Sequence, residues 1–346
     1  MSDPRTAPWE LYSKTMFSHF GFPLWHADPE VDEKFGRREV ELGSVGYLDR
    51  GKFRHLFNAR KDKDDAFNLG RVPETFEPFN PKNMIVTAPE EILRQPYVAS
   101  GSVKQVVVNL EANASGPVPS LVSAGGSLSF ECKQDLGAVL LLDHPAMGQS
   151  IPTKRHIITY LRQHIDSIYE HATGTPEGLG YDLKMHDIKF VSGTLKTTKW
   201  ACAVMSGSYR NKSGSLNANV AGVGGFDMRV SVGDQIVSNE FYNHGPPSTA
   251  DPPTEGNSPV QARARSSTEY DIQEHPSNDG MDSSSFNPVV ILLDYMLAKT
   301  DAEYAIASDR DVLAIFGEAG VPDDIAAGLE AIKPSIEVDE NDGTTN

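Results

Sequence analysis

Four stretches of this chain alternate apolar and polar residues with a period of two, and only an extended strand sends such residues to opposite faces. In 105–113, Val106, Val108, Leu110 and Ala112 alternate with Gln105, Val107, Asn109 and Glu111. Leu128, Phe130 and Cys132 alternate with Ser127, Ser129 and Glu131. Leu216, Ala218 and Val220 alternate with Ser215, Asn217 and Asn219, and Phe226, Met228, Val230 and Val232 with Asp227, Arg229 and Ser231. Such segments describe antiparallel sheets with one apolar and one wet face. Between them, 153–172 carries Ile157, Leu161, Ile165, Ile168 and Tyr169 at helical spacing, the mark of an amphipathic helix. The fold class read from this order is α+β: a mainly antiparallel, twisted sheet with one amphipathic helix, followed by a small acidic helical C-terminal segment.

The boundaries follow from composition. Residues 1–243 form the α+β body. Its first ninety residues are rich in aromatics and prolines (Trp9, Phe17, Phe20, Phe22, Trp25, Phe76, Phe79) and are expected to wrap the sheets, with an Asp49–Gly51 turn making a hairpin or a strand-to-strand corner of 45–58. Residues 244–287 are rich in Pro, Ser, Asp and Gly and read as a flexible, protease-accessible linker, in which Arg263 and Arg265 mark a candidate cleavage region. In 288–334 the period becomes helical. Asn287-Pro288 opens one helix, Ser308 with Asp311 forms a capping box for a second, and Pro322 opens a third that Pro334 stops. This segment is expected to dock on the body, with 335–346 a disordered tail.

Charge divides along the same line. Residues 1–250 hold 28 acidic against 26 basic side chains, whereas 251–346 hold 20 against 5, so the end carries most of the net −17. Such an end reads as a solubilising tail or as an electrostatic mask for a partner surface. No basic stripe is large enough for nucleic acid. With 39% hydrophobic and 23% charged residues, no spanning apolar run and no apolar leader, the chain is expected to be soluble and cytoplasmic. Its two cysteines, Cys132 and Cys202, fit a reducing compartment.

The residues point to no catalytic constellation. His156, His164 and His171 do not converge on one point of their helix, and Gly222 to Gly225 lies between strands rather than opening a helix, so no metal, cofactor or catalytic site is expected. One basic and aromatic cluster remains, Arg50, Lys52, Arg54, His55, Arg60, Lys61 and Lys63 flanking Phe53, Leu56 and Phe57, in which Arg50, Lys52, Phe53, Arg54, Phe57, Arg60 and Lys61 are the candidate lipid contacts. It suits contact with an anionic lipid surface, or else a solvated loop that Asp62, Asp64 and Asp65 partly neutralise.

Two resemblances add to this. Gly21 to Trp25 (GFPLW), Gly43 to Tyr47 (GSVGY), FRHLFN, VPETFEP and VSGTLKTTKWACA, spread over 21–207, resemble a family of cytosolic proteins from mushroom-forming fungi, which implies lineage and no activity. The order of SAGGSLSFECKQDLGAVLLL, the helix at 153–172, and IKFVSGTLKTTKWACAV is similar to the pore-forming half of gasdermins. That resemblance implies a cell-death effector held inactive by its C-terminal segment until a protease cuts the linker. It further implies anionic lipids as partners after activation and assembly of copies into a β-barrel, with 192–205 and 215–232 supplying hairpins. The strands at Ser215 and Phe226 run about seven residues, against the ~9–11 of a tilted spanning strand, and the body is not basic. The alternative is a soluble intracellular protein-interaction module whose strands form an ordinary half-buried sheet.

Overall fold

The structure, a computed structural model, describes residues 6–32, 36–109, 127–132, 136–142, 144–206, 214–221, 225–232, 235–236, 242–245, 286–317, 320–339 and 344–345. The chain opens with α1 (Pro8–Phe20), the ribbon β1 (Glu30–Asp32) and β2 (Gly36–Arg38), and the hairpin β3 (Ser44–Asp49) and β4 (Lys52–Asn58). There follow β5 (Glu90–Leu93), β6 (Tyr97–Ala99), β7 (Val103–Asn109), β8 (Ser127–Cys132), β9 (Leu136–Leu142) and β10 (Ala146–Ser150). The long helix α2 (Lys154–Thr173) leads to β11 (Lys189–Phe190), β12 (Gly193–Lys196) and β13 (Trp200–Ser206). Next are β14 (Gly214–Ala221), β15 (Gly225–Val232), β16 (Gln235–Ile236) and β17 (Tyr242–Gly245). The C-terminal unit comprises α3 (Pro288–Lys299), β18 (Tyr304–Ala305), α4 (Asp309–Phe316), α5 (Ile325–Ile332), β19 (Val338–Asp339) and β20 (Thr344–Thr345). The architecture is α+β, and every strand pair except β18 with β20 is antiparallel.

Two sheets form the centre, with orders β17-β13-β9-β6 and β16-β15-β14-β8-β7. In the first, Ala138, Leu142, Cys202 and Val204 pack against Leu11, Tyr12 and Met16 of α1. Its other face meets the second sheet: a Cβ placed on Gly137 would lie 2.6 Å from Cys132 Sγ and from Val103 Cγ2. Phe130 is fully buried and edge-on to Tyr97, with ring centres 5.2 Å apart. The four-stranded sheet is therefore covered on both sides, which is why β9 and β13 read as continuous apolar runs.

The second sheet has its strands in phase. One row aligns Val230, Leu216 and Phe130, the next apolar row aligns Met228, Ala218, Leu128 and Val108, and Phe226 pairs with Val220. The rows between them align Ser231, Ser215, Glu131 and Lys104, then Arg229, Asn217 and Ser129, then Asp227, Asn219, Ser127 and Asn109. The alternation departs in β7, where a bulge at Val106 puts Gln105 opposite Phe130 and Val107 opposite Ser129. Leu110 and Ala112 lie outside the described residues.

Elsewhere, β3, β4 and α2 share a core of Val45, Leu56, Phe57, Phe79, Ile157, Tyr160, Ile168 and Ala172. Three boundaries differ from the sequence reading. Strand β17 continues through Gly245, because His244 and Gly245 pair with Ala201 and Trp200 of β13. Helix α5 starts at Ile325 rather than at Pro322: Asp324 Oδ1 accepts the Ala327 N–H at 2.9 Å, a cap that proline cannot supply. Within 335–346, β19 and β20 pair with each other, and β20 pairs with β18.

Candidate functional site

The β3–β4 hairpin turns on Arg50 (φ 48°) and Gly51 (φ 77°), two successive left-handed residues that define a type I′ turn and match the strands' twist. Its tip lies against Trp9 and Trp25, since a Cβ on Gly51 would meet theirs at 2.6 and 2.8 Å. His26 N–H donates to the Gly51 carbonyl at 3.0 Å. Burial, with help from the Lys52 charge, pushes the His26 imidazole pKa down. The neutral ring suits the 3.0 Å contact from the Asn243 amide to Nδ1. The tip thus presents exposed Arg50 and half-buried Lys52 beside Trp9.

Beyond the tip, the charges of β4 are already paired. Arg54 Nε donates to Asp49 Oδ2 at 3.2 Å, and Nη1 lies 3.6 Å from Glu30. Glu30 also accepts from Arg38 at 2.8 Å and from the backbone N–H of His55 at 3.3 Å, and lies 3.2 Å from His55 Nδ1. His55 Nε2 lies 3.2 Å from the Glu39 carbonyl, so both ring nitrogens have partners. The arrangement looks like a catalytic dyad, but among the described residues no nucleophile faces it. It ties β1, β2 and β4 together.

The aromatic members of the cluster correct the sequence reading. Phe53 is 5% exposed and Phe57 0%, so neither can anchor in lipid. Phe57 faces Phe76 in the core shared with α2, and Phe53 packs edge-on to His55. The basic members also separate. Arg60 and Lys61 lie past the far end of β4, roughly 20 Å from the tip at 3.3 Å per residue. There Lys61 pairs with Glu41 at 3.0 Å and lies 4.5 Å from the Phe67 ring centre, while the Arg60 stem covers Gly43. Asn68 fixes this loop, accepting from Asn58 N–H and donating to the carbonyls of Asn58, Lys61 and Asp62 at 2.9 to 3.1 Å. Asp62, Asp64 and Asp65 line an open groove of about 540 Å³ with Lys63, Phe76 and Pro78. Of the seven candidate lipid contacts, Arg50 and Lys52 alone share the tip's surface.

The C-terminal unit lies on α1 and α2. Phe17, fully buried, enters a cluster of Val289, Leu292, Met296, Val312, Phe316, Ile325 and Leu329, and Phe22 and Phe286 close on it edge-to-face at 5.1 and 6.0 Å. Around this knob are polar contacts: Lys154 to Asp311 at 2.9 Å, Lys14 to Asp323 at 3.1 Å, and Tyr304 hydroxyl to Asp166 at 3.3 Å. In each ion pair the body supplies the cation and the unit the carboxylate. Sequence reasoning assigned Phe17 no such contact, because it sits in an aromatic-rich segment where no period distinguishes it. Arg263 and Arg265 lie outside the described residues. Comparison with known proteins finds no match among family models, curated proteins or solved structures.

Proposed function

We propose that this chain is a non-enzymatic, gasdermin-like pore-forming effector of cell death, kept inactive by its C-terminal unit and released by proteolysis between Gly245 and Phe286. The observation that carries this reading is the phase of β8, β14 and β15, whose residues fall into wholly apolar and wholly polar rows across neighbouring strands. A sheet of that pattern suits a barrel wall, apolar toward lipid and polar toward water. A few strands per copy cannot close a barrel, so several copies would have to join edge to edge. Strands β14 and β15 have eight residues each, so a span of ~9–11 also draws on their connections. Arg50 and Lys52, beside Trp9, are the groups best placed to meet an anionic headgroup.

No helix among the described residues is long and apolar enough to cross a membrane. A second reading, a protein-interaction module without membrane activity, is favoured by the four-stranded sheet that already lies over the apolar rows. The two readings separate in one experiment. A full chain carrying a site-specific protease sequence within 251–285 is added to dye-loaded vesicles with and without anionic lipid, before and after cutting. Leakage from anionic vesicles after cutting alone is expected. Intact vesicles at every concentration, with the body purified away from its unit, would reject pore formation in favour of the interaction module.

A further inference from the structure

The first turn of α4 is wedged between the end of α1 and the start of α2. Ser308 caps the helix: its N–H and hydroxyl both donate to Asp311 Oδ2, at 2.8 and 2.7 Å. The other oxygen of Asp311 takes the Lys154 ammonium at 2.9 Å. Asp309, the first residue of α4, points the other way, onto Gly21, the residue that ends α1. A Cβ on Gly21 would lie 2.8 Å from Asp309 Cγ and closer still to Oδ2, so the carboxylate occupies the space of a missing side chain. It accepts the backbone N–H groups of Phe22 and Arg310, and its burial pushes its pKa up, as expected of an enclosed group.

We propose that Gly21 is the keyhole of the C-terminal unit and Asp309 its key: α4 seats on α1 because residue 21 has no side chain, and any side chain there lifts the unit off. This deepens the regulatory half of the proposed function and rests on the reading that the docked unit holds the chain inactive. Phe17 supplies the apolar adhesion, whereas Gly21 selects which helix start fits. The seat resists bulk because the Asp309 carboxylate can retreat from a side chain at residue 21 only by giving up the Phe22 and Arg310 N–H groups that it accepts.

The test is hydrogen exchange of the full chain, read at the backbone of α4. Gly21→Ala is expected to raise exchange there at least tenfold. Gly21 has φ 90° and ψ −152°, so alanine also strains the α1 terminus, a strain that the double variant below retains; Gly70→Ala, at φ 71° with no heavy atom within 4 Å of its added Cβ, controls only for a strained alanine at a distance. Gly70→Ala should leave α4 unchanged. Adding Asp309→Ala to Gly21→Ala removes the colliding carboxylate, leaving a Cβ contact of 3.3 Å, and should return exchange to within about threefold of the original. Unchanged exchange in Gly21→Ala, an equal rise in Gly70→Ala, or no rescue in the double variant would overturn the keyhole. Vesicle leakage is scored in parallel on the same proteins. Exchange that responds as expected while vesicles stay intact supports the keyhole and counts against pore formation alone.

Discussion

Glu30 gathers more of the hairpin's charge than any neighbouring carboxylate. Its burial works to raise its pKa, but the hydrogen bond from His55 and the charge of Arg38 outweigh that and hold it at about 2. A carboxyl depressed from 4.5 stabilises the fold fully above pH 4.5, and that contribution is lost as pH falls toward 2. Glu30→Gln should destabilise the protein at pH 7 by about 3 kcal/mol, because Arg38, only 2% exposed, keeps its charge without its carboxylate. Urea unfolding across pH would show the gap between the two proteins closing from pH 4.5 to 2, and a constant gap would assign the loss to packing. None of this was legible locally. His55 reads as one more basic residue of a surface cluster because its partner stands 25 positions away. Phe57 was misplaced for a related reason: the second half of β4, from His55 to Asn58, is buried on both faces, and a strand without a wet face carries no alternation.

Among the elements, the strands that alternate in sequence were legible and those enclosed on both sides were not. The alternation in β8, β14 and β15 marked them as strands without naming their neighbours, whereas β9 and β13, enclosed on both sides, showed apolar runs whose role as the central layer could not be read. The bulge at Val106 is invisible in sequence because Val106, Val107 and Val108 run in succession and would suit either phase. Two helix starts with a side-chain cap, at Asn287 and Ser308, were located well, whereas the third, capped by Asp324, was placed too early, at Pro322. The contact between the two sheets yields a test at this scale. Gly137→Val places methyl groups where Cys132 Sγ and Val103 Cγ2 stand, at a cost of about 1–3 kcal/mol. Hydrogen exchange should rise in β7 and β8 while α2 stays protected. A uniform rise would mean that the two sheets open together.

In the molecule as a whole, the C-terminal unit is held by unequal forces. Asp323 is 92% exposed in its pair with Lys14, and such surface pairs contribute at most about 1 kcal/mol, screened by salt. Phe17 is fully enclosed, and truncating a buried phenylalanine costs about 3–5 kcal/mol. Raising salt to about 1 M, where the Debye length falls to ~3 Å, should therefore leave the unit docked, while Phe17→Ala frees it. Limited proteolysis at 286–339 reads both, and release by salt alone would show that the ion pairs dominate. Burial, more than charge, decides the weight of these contacts. The surface that receives α4 is built from α1 and α2, which precede it by well over a hundred residues. A ribosome therefore finishes the seat long before its occupant emerges, and every nascent chain passes through an interval with its keyhole vacant. Any messenger with an early stop codon would leave that interval permanent.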